Sequence, residues 1–391
     1  MNPKVSIIMP IYNEEEFLEK SLDSFFSQTL YSECELICID DGSTDGSLSI
    51  LNVYKEKYPE NMVMLSQSNQ GSGKARNVGI DKARGQYIGF LDADDLYPSE
   101  SVLQIMFEAA ECHDVSIAGG EMIIFNGEVE SSDFATVRGF EGYCFNESGV
   151  IEYSDYQFDY GYQRFIYKRS LLLENNIYFP PYLRYQDPPF FVRAMIAADR
   201  FFALAEPTYR YRTEAKMITW TVPKLADMLS GIVEVASLAA QHGLVSLFST
   251  NLMRFDVDWR PVFRQLIIDE HKIEVLRLVY DASNAILSLG GKLGLEVQLV
   301  ESPTVQQDIV NTFTQLSERE DQIIQLNKEK DALNDELVQK RSELQDMQLK
   351  YDELIIQHDN EIEAIQASTI WKIGSAVTWI PRTFKDGMNS R

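Results

Sequence analysis

The sequence predicts an α/β fold, a mostly parallel, doubly wound sheet flanked by helices. Three observations carry this. Short apolar, β-favouring runs alternate with segments of helical periodicity over roughly the first 120 residues. Each run stops at a polar cluster, so the clusters converge on one edge of a parallel sheet. The last run enters three carboxylates within four residues, Asp92, Asp94 and Asp95.

The elements follow in order. Val5 to Ile11 is an apolar run ending at Pro10-Ile11-Tyr12-Asn13. Phe17, Leu18, Leu22, Phe25 and Phe26 then recur at helical spacing. Glu35 to Ile39 leads into Asp40-Asp41-Gly42-Ser43-Thr44-Asp45-Gly46, and Leu48, Leu51 and Tyr54 mark the next helix. Met62 to Leu65 precedes Asn69 to Asn77, a stretch containing Gly71, Gly73 and Arg76. Tyr87 to Leu91 reads as an interior strand, and Val102, Ile105, Met106 and Ala109 as the helix after the acidic cluster.

Clustered carboxylates raise one another's pKa unless a cation neutralises them. A hard divalent ion, Mn²⁺ or Mg²⁺, bound also to phosphate oxygens suits such a cluster; an acidic turn is the plainer alternative. Two other motifs are look-alikes. Gly71 to Arg76 lacks the third glycine of a dinucleotide fingerprint and the Ser/Thr of a phosphate loop. Asp41 to Gly46 imitates a calcium loop, but the twelfth position is Asn52 rather than Glu.

Five segments, VSIIMPIYNEE, ICIDDGSTDGS, NQGSGKARNVGI, ARGQYIGFLDADD and LRYQDPPFFVRAM, occur in the order found in inverting glycosyltransferases of family 2. The first 215 or so residues resemble that family, which implies a Rossmann-like GT-A fold. The resemblance implies a nucleotide-sugar site at Pro10, Tyr12, Asn13, Asp41, Gly73, Arg76, Asp92 and Ala93. Tyr12 would stack on the base and Asp41 would accept the uracil N3–H, unless it only opens the next helix through an Asx turn. Arg76 would reach the ribose or diphosphate, and Asp92 the ribose. Asp94 would hold the metal, with Asp92 and Asp95 as further ligands. The catalytic base would be Asp187, although Gln186 stands where the family has Glu. Asp187-Pro188 also reads as the start of a helix, with a capping role only. Glu206 and Asp159 are weaker candidates for the base, and no third metal ligand is identifiable. The four histidines, His113, His242, His271 and His358, lack metal-ligand spacing.

The net charge of −25 argues against nucleic acid and against broad adhesion to anionic lipid. Cys34, Cys38, Cys112 and Cys144 form no disulfide framework, which fits a reducing compartment. With no signal peptide and no apolar stretch of membrane-spanning length, the expected location is cytoplasmic, in places peripheral on the inner face of the cell membrane. Tyr143 to Tyr185 is rich in aromatic residues, which serve either an acceptor groove or the core beneath the sheet.

Four segments are expected: a GT-A catalytic domain over 1–215, a helical subdomain over 216–300, a coiled coil over 306–366 and an amphipathic segment over 367–391. Gly290 to Pro303 is expected to be a linker. With Ile323 at heptad position a, Lys330, Leu337, Leu344, Tyr351, His358 and Ile365 follow at a, and Leu326, Leu333, Lys340, Met347, Leu354 and Glu361 at d, so that Lys330, Lys340, His358 and Glu361 weaken an otherwise apolar seam. Such a seam is expected to pair two copies; a different helical partner or a long solvated helix is the alternative. Trp371, Trp379, Lys372 and Arg382 mark 370–385 as a peripheral membrane anchor or a helix docked on the enzyme itself.

The expected activity is inverting transfer of a sugar from a UDP-sugar donor to a glycan or lipid-linked acceptor in bacterial surface polysaccharide synthesis. A sugar-nucleotide nucleotidyltransferase and a catalytically degenerate assembly scaffold are the alternatives.

Overall fold

The structure is a computed structural model that describes residues 2–126, 129–131, 141–213, 219–266, 274–297 and 320–367. The chain divides into two compact units, Met1–Ile309 and Val310–Arg391.

The first unit is built on a sheet whose leading half is parallel. Strands β1 (Val5–Ile11), β2 (Cys34–Asp40), β3 (Met62–Ser66) and β4 (Tyr87–Phe90) alternate with helices α1 (Leu18–Phe26), α2 (Ser47–Lys57) and α3 (Ser72–Lys82). Helix α4 (Val102–Cys112), β5 (Ile117–Asn126), β6 (Val129–Ser131), β7 (Gly149–Glu152), α5 (Tyr153–Tyr156) and β8 (Phe165–Lys168) follow. Then come α6 (Arg169–Glu174), α7 (Asp187–Ala198) and β9 (Arg200–Arg212). The sheet order is β3-β2-β1-β4-β8-β5-β9-β7, with β6 on β5. Strands β1, β2, β3 and β4 run parallel, with Ile11 level with Asp40 and Asp40 level with Ser66. Their C-terminal ends therefore share one edge, which is why the polar clusters meet. Strand β8 enters antiparallel beside β4 and turns the second half into a mixed sheet.

Both faces of the sheet are covered, and successive residues of β1 show it. Val5, Ile7, Met9 and Ile11 enter one core with α1 and α4, whereas Ile8 enters the other with Ile37, Ile39 and Phe90. That second core continues without interruption into the later helices. These are α8 (Val222–His242), α9 (Val245–Met253), a π-helical turn (Arg254–Asp258), α10 (Arg260–Arg264) and α11 (Glu274–Lys292). Leu225, Ile232, Val279 and Ile286 belong to the same apolar cluster as Phe190 and Tyr167 of the sheet half. The helices after Val222 thus share the apolar core of the sheet rather than forming a core of their own.

The expected linker starts later than the glycines imply. Helix α11 runs through Gly290 and Gly291 to Lys292. Gly290 is used for close approach, since a side chain there would run into Val297 and touch Phe248.

The second unit contains α12 (Glu320–Ala367), 48 residues long and so about 72 Å at 1.5 Å per residue. Along it Leu337, Leu344, Met347, Tyr351 and Leu354 are all exposed. No helix among the described residues is long and apolar enough to cross a membrane. The segment 370–385 lies outside the described residues, as does the start of the expected coiled coil.

Candidate active site

The convergent edge is assembled by loops that hold one another. After β1, Asn13 takes a left-handed conformation (φ 55°) that its short polar side chain tolerates. Its amide N–H donates to Ser43 Oγ (3.1 Å) and its Oδ1 accepts from Thr44 N (2.8 Å). Asn13 thus clamps the loops after β1 and β2 together. Beside it the Tyr12 ring is 48% exposed, a flat surface open to a planar ligand. Pro10 lies within the buried β1.

Asp41 is only 2% exposed. Its Oδ1 accepts from Gln67 Nε2 (2.7 Å) and Gln70 N (2.9 Å), and its Oδ2 from Gly71 N (2.8 Å). It ties the β2 loop across to the β3–α3 loop. Asp41 makes no Asx turn, the alternative reading of this residue; the neighbouring Asp40 Oδ1 accepts from Ser43 N (3.0 Å). Gly71 (φ 89°) starts α3 with a conformation suited to glycine. Gly73 packs under Gln186, where an added side chain would sit 3.3 Å from Gln186 Cγ.

Arg76 is buried and lies between two carboxylates. Its Nη2 donates to Asp92 Oδ1 at 2.6 Å, and its Nη1 lies 4.0 Å from Asp187 Oδ1. Burial works against the guanidinium charge, but Asp92, Tyr162 and Asp187 outweigh it and hold the group protonated. Nη1 and Nε of Arg76 and Oδ1 of Asp187 are buried and make no hydrogen bond. An oxygen atom lying about 2.8 Å from each would bridge the 4.0 Å between them.

The three carboxylates after β4 separate in role. Asp92 faces Arg76, receives a long contact from Gln163 Nε2 (3.4 Å), and donates its amide N–H to Tyr209 Oη (3.1 Å). Ala93 is buried between the acids. Asp94 is partly exposed, and its carbonyl accepts from Arg212 Nε (2.8 Å). Asp95 turns inward and is 1% exposed. Its oxygens accept from Tyr209 Oη (2.7 Å) and Arg212 N (2.7 Å). Burial and the charges of Asp92 and Asp94 push its pKa well up. Both Asp95 oxygens thus brace β9, which sets Asp95 apart from the partly exposed Asp94. Among the described residues no three His, Cys, Asp or Glu side chains cluster as a metal cage. Mg²⁺ and Mn²⁺ are commonly held by one or two carboxylates plus substrate phosphates, a donor set that Asp94 and a diphosphate supply.

Asp187 opens α7, with Pro188 and Pro189 in its first turn. It is the first helical residue, Gln186 takes the cap position, and neither side chain forms a cap hydrogen bond. The capping-only reading therefore lacks its bond. The Asp187 side chain is 36% exposed while its Oδ1 is buried. Burial pushes its pKa up to about 6 against the lowering effect of Arg76, with Asp92 adding to the rise. The segment before it is held in place. Asn77 exchanges two 2.9 Å hydrogen bonds with the backbone of Phe179. Tyr185 adopts φ 65°, and its carbonyl lies where a side chain on Gly231 of α8 would be 2.8 Å away. Strain of this kind, two residues before Asp187, is held by surrounding packing. Asp159 is instead fully buried in an ion pair with Arg254, so it is no base. Glu206 lies on β9 in a polar stretch.

Beside Asp187 opens a cavity of about 490 Å³. Tyr143, Tyr160, Tyr162 and Gln163 line one side, and Arg254, Asp258 and Trp259 another. Most aromatic residues of the 143–185 region are core, as the Phe90–Tyr162 and Phe179–Phe190 ring pairs show. Gln163, Tyr209 and the 254–259 group were not singled out from sequence. Tyr209 stands in the alternating Tyr-Arg run of β9, which was the one available signal.

The parallel strands bring the loops that carry Asn13, Asp41, Gly71 and Asp92 to one edge, where Arg76 lies buried between Asp92 and Asp187, and the fold is of the GT-A type. Residues 6–174 match the profile of Glycosyl transferase family 2. It is 36% identical over 215 residues to a poly(ribitol-phosphate) beta-glucosyltransferase of Bacillus spizizenii, covering 53% of this chain and 32% of that one. It is 33% identical over 224 residues to the uncharacterised glycosyltransferase EpsJ of Bacillus subtilis, covering 56% and 64%. The chain thus spans about a third to under two thirds of these relatives. The fold is similar to that of Staphylococcus aureus TarS 1–349 in complex with UDP-GlcNAc, with TM-score 0.60 and 22% identity over 74% of this chain and 83% of that one.

Proposed function

We propose that the protein transfers a sugar from a UDP-sugar donor to a hydroxyl of a glycan or lipid-linked acceptor, with inversion, in bacterial surface polysaccharide synthesis. The observation that carries this is Asp187: a carboxylate with a bare, buried Oδ1 and a pKa raised to about 6, at the edge where β4 delivers Asp92 and Asp94. A base titrating near neutrality accepts a proton while remaining largely ionised. The relatives' names support the substrate class, since one is a poly(ribitol-phosphate) beta-glucosyltransferase and a structural neighbour was seen with UDP-GlcNAc.

In this reading Tyr12 stacks on the uracil and Asp41 accepts its N3–H on the remaining lone pair of Oδ2. Asp92 holds the ribose. Arg76 steers the diphosphate with its unbonded N–H groups. A divalent cation, Mn²⁺ or Mg²⁺, held by Asp94 and diphosphate oxygens, would offset the charge of the leaving UDP. The acceptor oxygen attacks the anomeric carbon from the face opposite UDP. As that bond forms, the bond from the anomeric carbon to the UDP oxygen breaks, and Asp187 takes the acceptor proton. Binding and hydrolysis across a UDP-sugar panel, with and without Mn²⁺, tests this. Metal-dependent binding of one donor is expected, and no affinity for any uridine nucleotide overturns it.

The exposed apolar seam of α12 supports pairing with a second copy, since an isolated helix of this length gains little from propensity alone. The cytoplasm is the place where a UDP-sugar donor would be met.

A further inference from the structure

We propose, building on the transferase reading above, that the cavity beside Asp187 is an acceptor subsite for an uncharged sugar ring, with the π-helical turn Arg254–Asp258 and Trp259 as its specificity wall. This wall lies beyond the segment that matches the family profile, 6–174.

The cavity has the size of a small-molecule site, at about 490 Å³. Its lining leaves polar atoms unanswered. Tyr162 Oη, Arg254 Nη2, Trp259 Nε1 and Asp187 Oδ1 are all buried without a hydrogen-bond partner. Buried donors and acceptors in that state carry uncompensated desolvation, so a hydroxyl-rich ligand gains wherever a lining side chain turns one of them into the cavity. Hydroxyls both donate and accept, so they match this mixture of groups.

The wall is built for a flat partner. In the π-helical turn Trp259 N bonds to Arg254 O at 3.0 Å, an i to i+5 closure. Such turns insert a residue and often mark functional sites. Here the turn sets both Asp258 and Trp259 on the cavity. Trp220 meets Trp259 edge-on (5.5 Å, 70°), which fixes the indole plane. Tyr211, 41% exposed, adds a second ring to the lining.

Charge decides between a sugar and a phosphate. The one cation among the residues lining the cavity, Arg254, is already matched by the buried Asp159 and stacks over Tyr160 (4.0 Å). Asp187 and Asp258 add two further carboxylates. An acceptor phosphate would meet net negative charge and no unmatched cation. Phosphates of a polyol-phosphate chain would therefore lie outside, and a neutral ring would fill the cavity.

The test uses the full chain with UDP present. Methyl glucoside and methyl N-acetylglucosaminide serve as neutral probes, and ribitol 5-phosphate as the anionic one, read by ligand-observed NMR. At least one neutral glycoside binds, and ribitol 5-phosphate binds no tighter. Trp259→Ala weakens the glycoside about tenfold, while Trp259→Phe, which keeps a ring, stays within about threefold. UDP affinity, followed by calorimetry, stays near that of the parent in both variants and confirms folding. Tighter binding of ribitol 5-phosphate, an unchanged glycoside affinity in Trp259→Ala, or no glycoside binding at all overturns the proposal. Failure of the parent to bind UDP strikes the transferase reading instead, and glycoside titrations without UDP still judge the cavity.

Discussion

Arg76 reaches both carboxylates of the site with one guanidinium: Nη2 bonds Asp92 at 2.6 Å while Nη1 stands 4.0 Å from Asp187 Oδ1. The first contact is a hydrogen bond and the second is electrostatic only. Asp187 Oδ1 thus makes no hydrogen bond, while its charge is tuned by a cation just out of bonding range.

The pH profile should record this tuning. Transfer, as kcat/KM, is expected to fall on the acid side with a limb near pH 6, where Asp187 becomes protonated. Arg76 lowers that pKa, so Arg76→Met should move the limb to higher pH, and Arg76→Lys should hold it close to 6. A limb that stays in place in Arg76→Met rules out the coupling.

Asp187→Asn should reduce kcat by roughly 10²- to 10⁴-fold while UDP affinity is kept. Stability should move the other way. A carboxyl whose folded pKa exceeds its unfolded value, here about 6 against 3.8, favours the fold when protonated. That contribution is complete below 3.8 and is lost as pH rises through about 6. The Asn variant should therefore melt higher than the parent at pH 7.5, with the gap closing toward pH 4. Thermal denaturation at both values checks it.

The neighbouring acids after β4 should separate cleanly. Asp94→Asn is expected to abolish the Mn²⁺ dependence of UDP binding, measured by calorimetry. Asp95→Ala, which strips Tyr209 and Arg212 of their acceptor, should lower stability by about 1–3 kcal/mol and leave the Mn²⁺ titration midpoint in place. Equal loss of metal dependence in both variants would return Asp95 to the ligand set.

The seam of α12 gives a mass prediction. Leu344→Asp with Leu354→Asp puts charge on two exposed seam positions, 65% and 64% accessible in the single chain. Light scattering should show a smaller species than the parent, with UDP affinity unaltered. An unchanged mass removes the self-pairing reading.

Much of the parallel sheet edge was legible because its signals are local. Asp92 and Asp94 follow an apolar strand directly, and parallel strands place every C-terminal loop on one edge. Period and strand-end position alone determine that Tyr12, Asp41, Arg76 and Asp92 share a neighbourhood. The same signals could not separate Asp94 from Asp95. Which way Asp95 faces depends on Tyr209 and Arg212, more than a hundred residues further on, and on the packing of β9 beside it.

Beyond the strand ends, the sequence determined secondary structure and left its purpose to the tertiary fold. Helical periodicity foretold α8 and α11, but their continuity with the sheet core arises from packing of Leu225 and Ile286 into one apolar cluster. Glycines at 290 and 291 read as a break, yet helix packing against Phe248 uses the missing side chain. Asp187-Pro188 spells a helix start in any setting; only burial beside Arg76, and a Tyr185 backbone fixed by Gly231, raise that carboxylate toward the neutral range. The Asp159–Arg254 pair joins residues 95 positions apart and carries no local periodicity. Patterning by nearest neighbours is written in the chain, whereas charge balance at a site is a sum over distant groups that only the folded geometry brings within range.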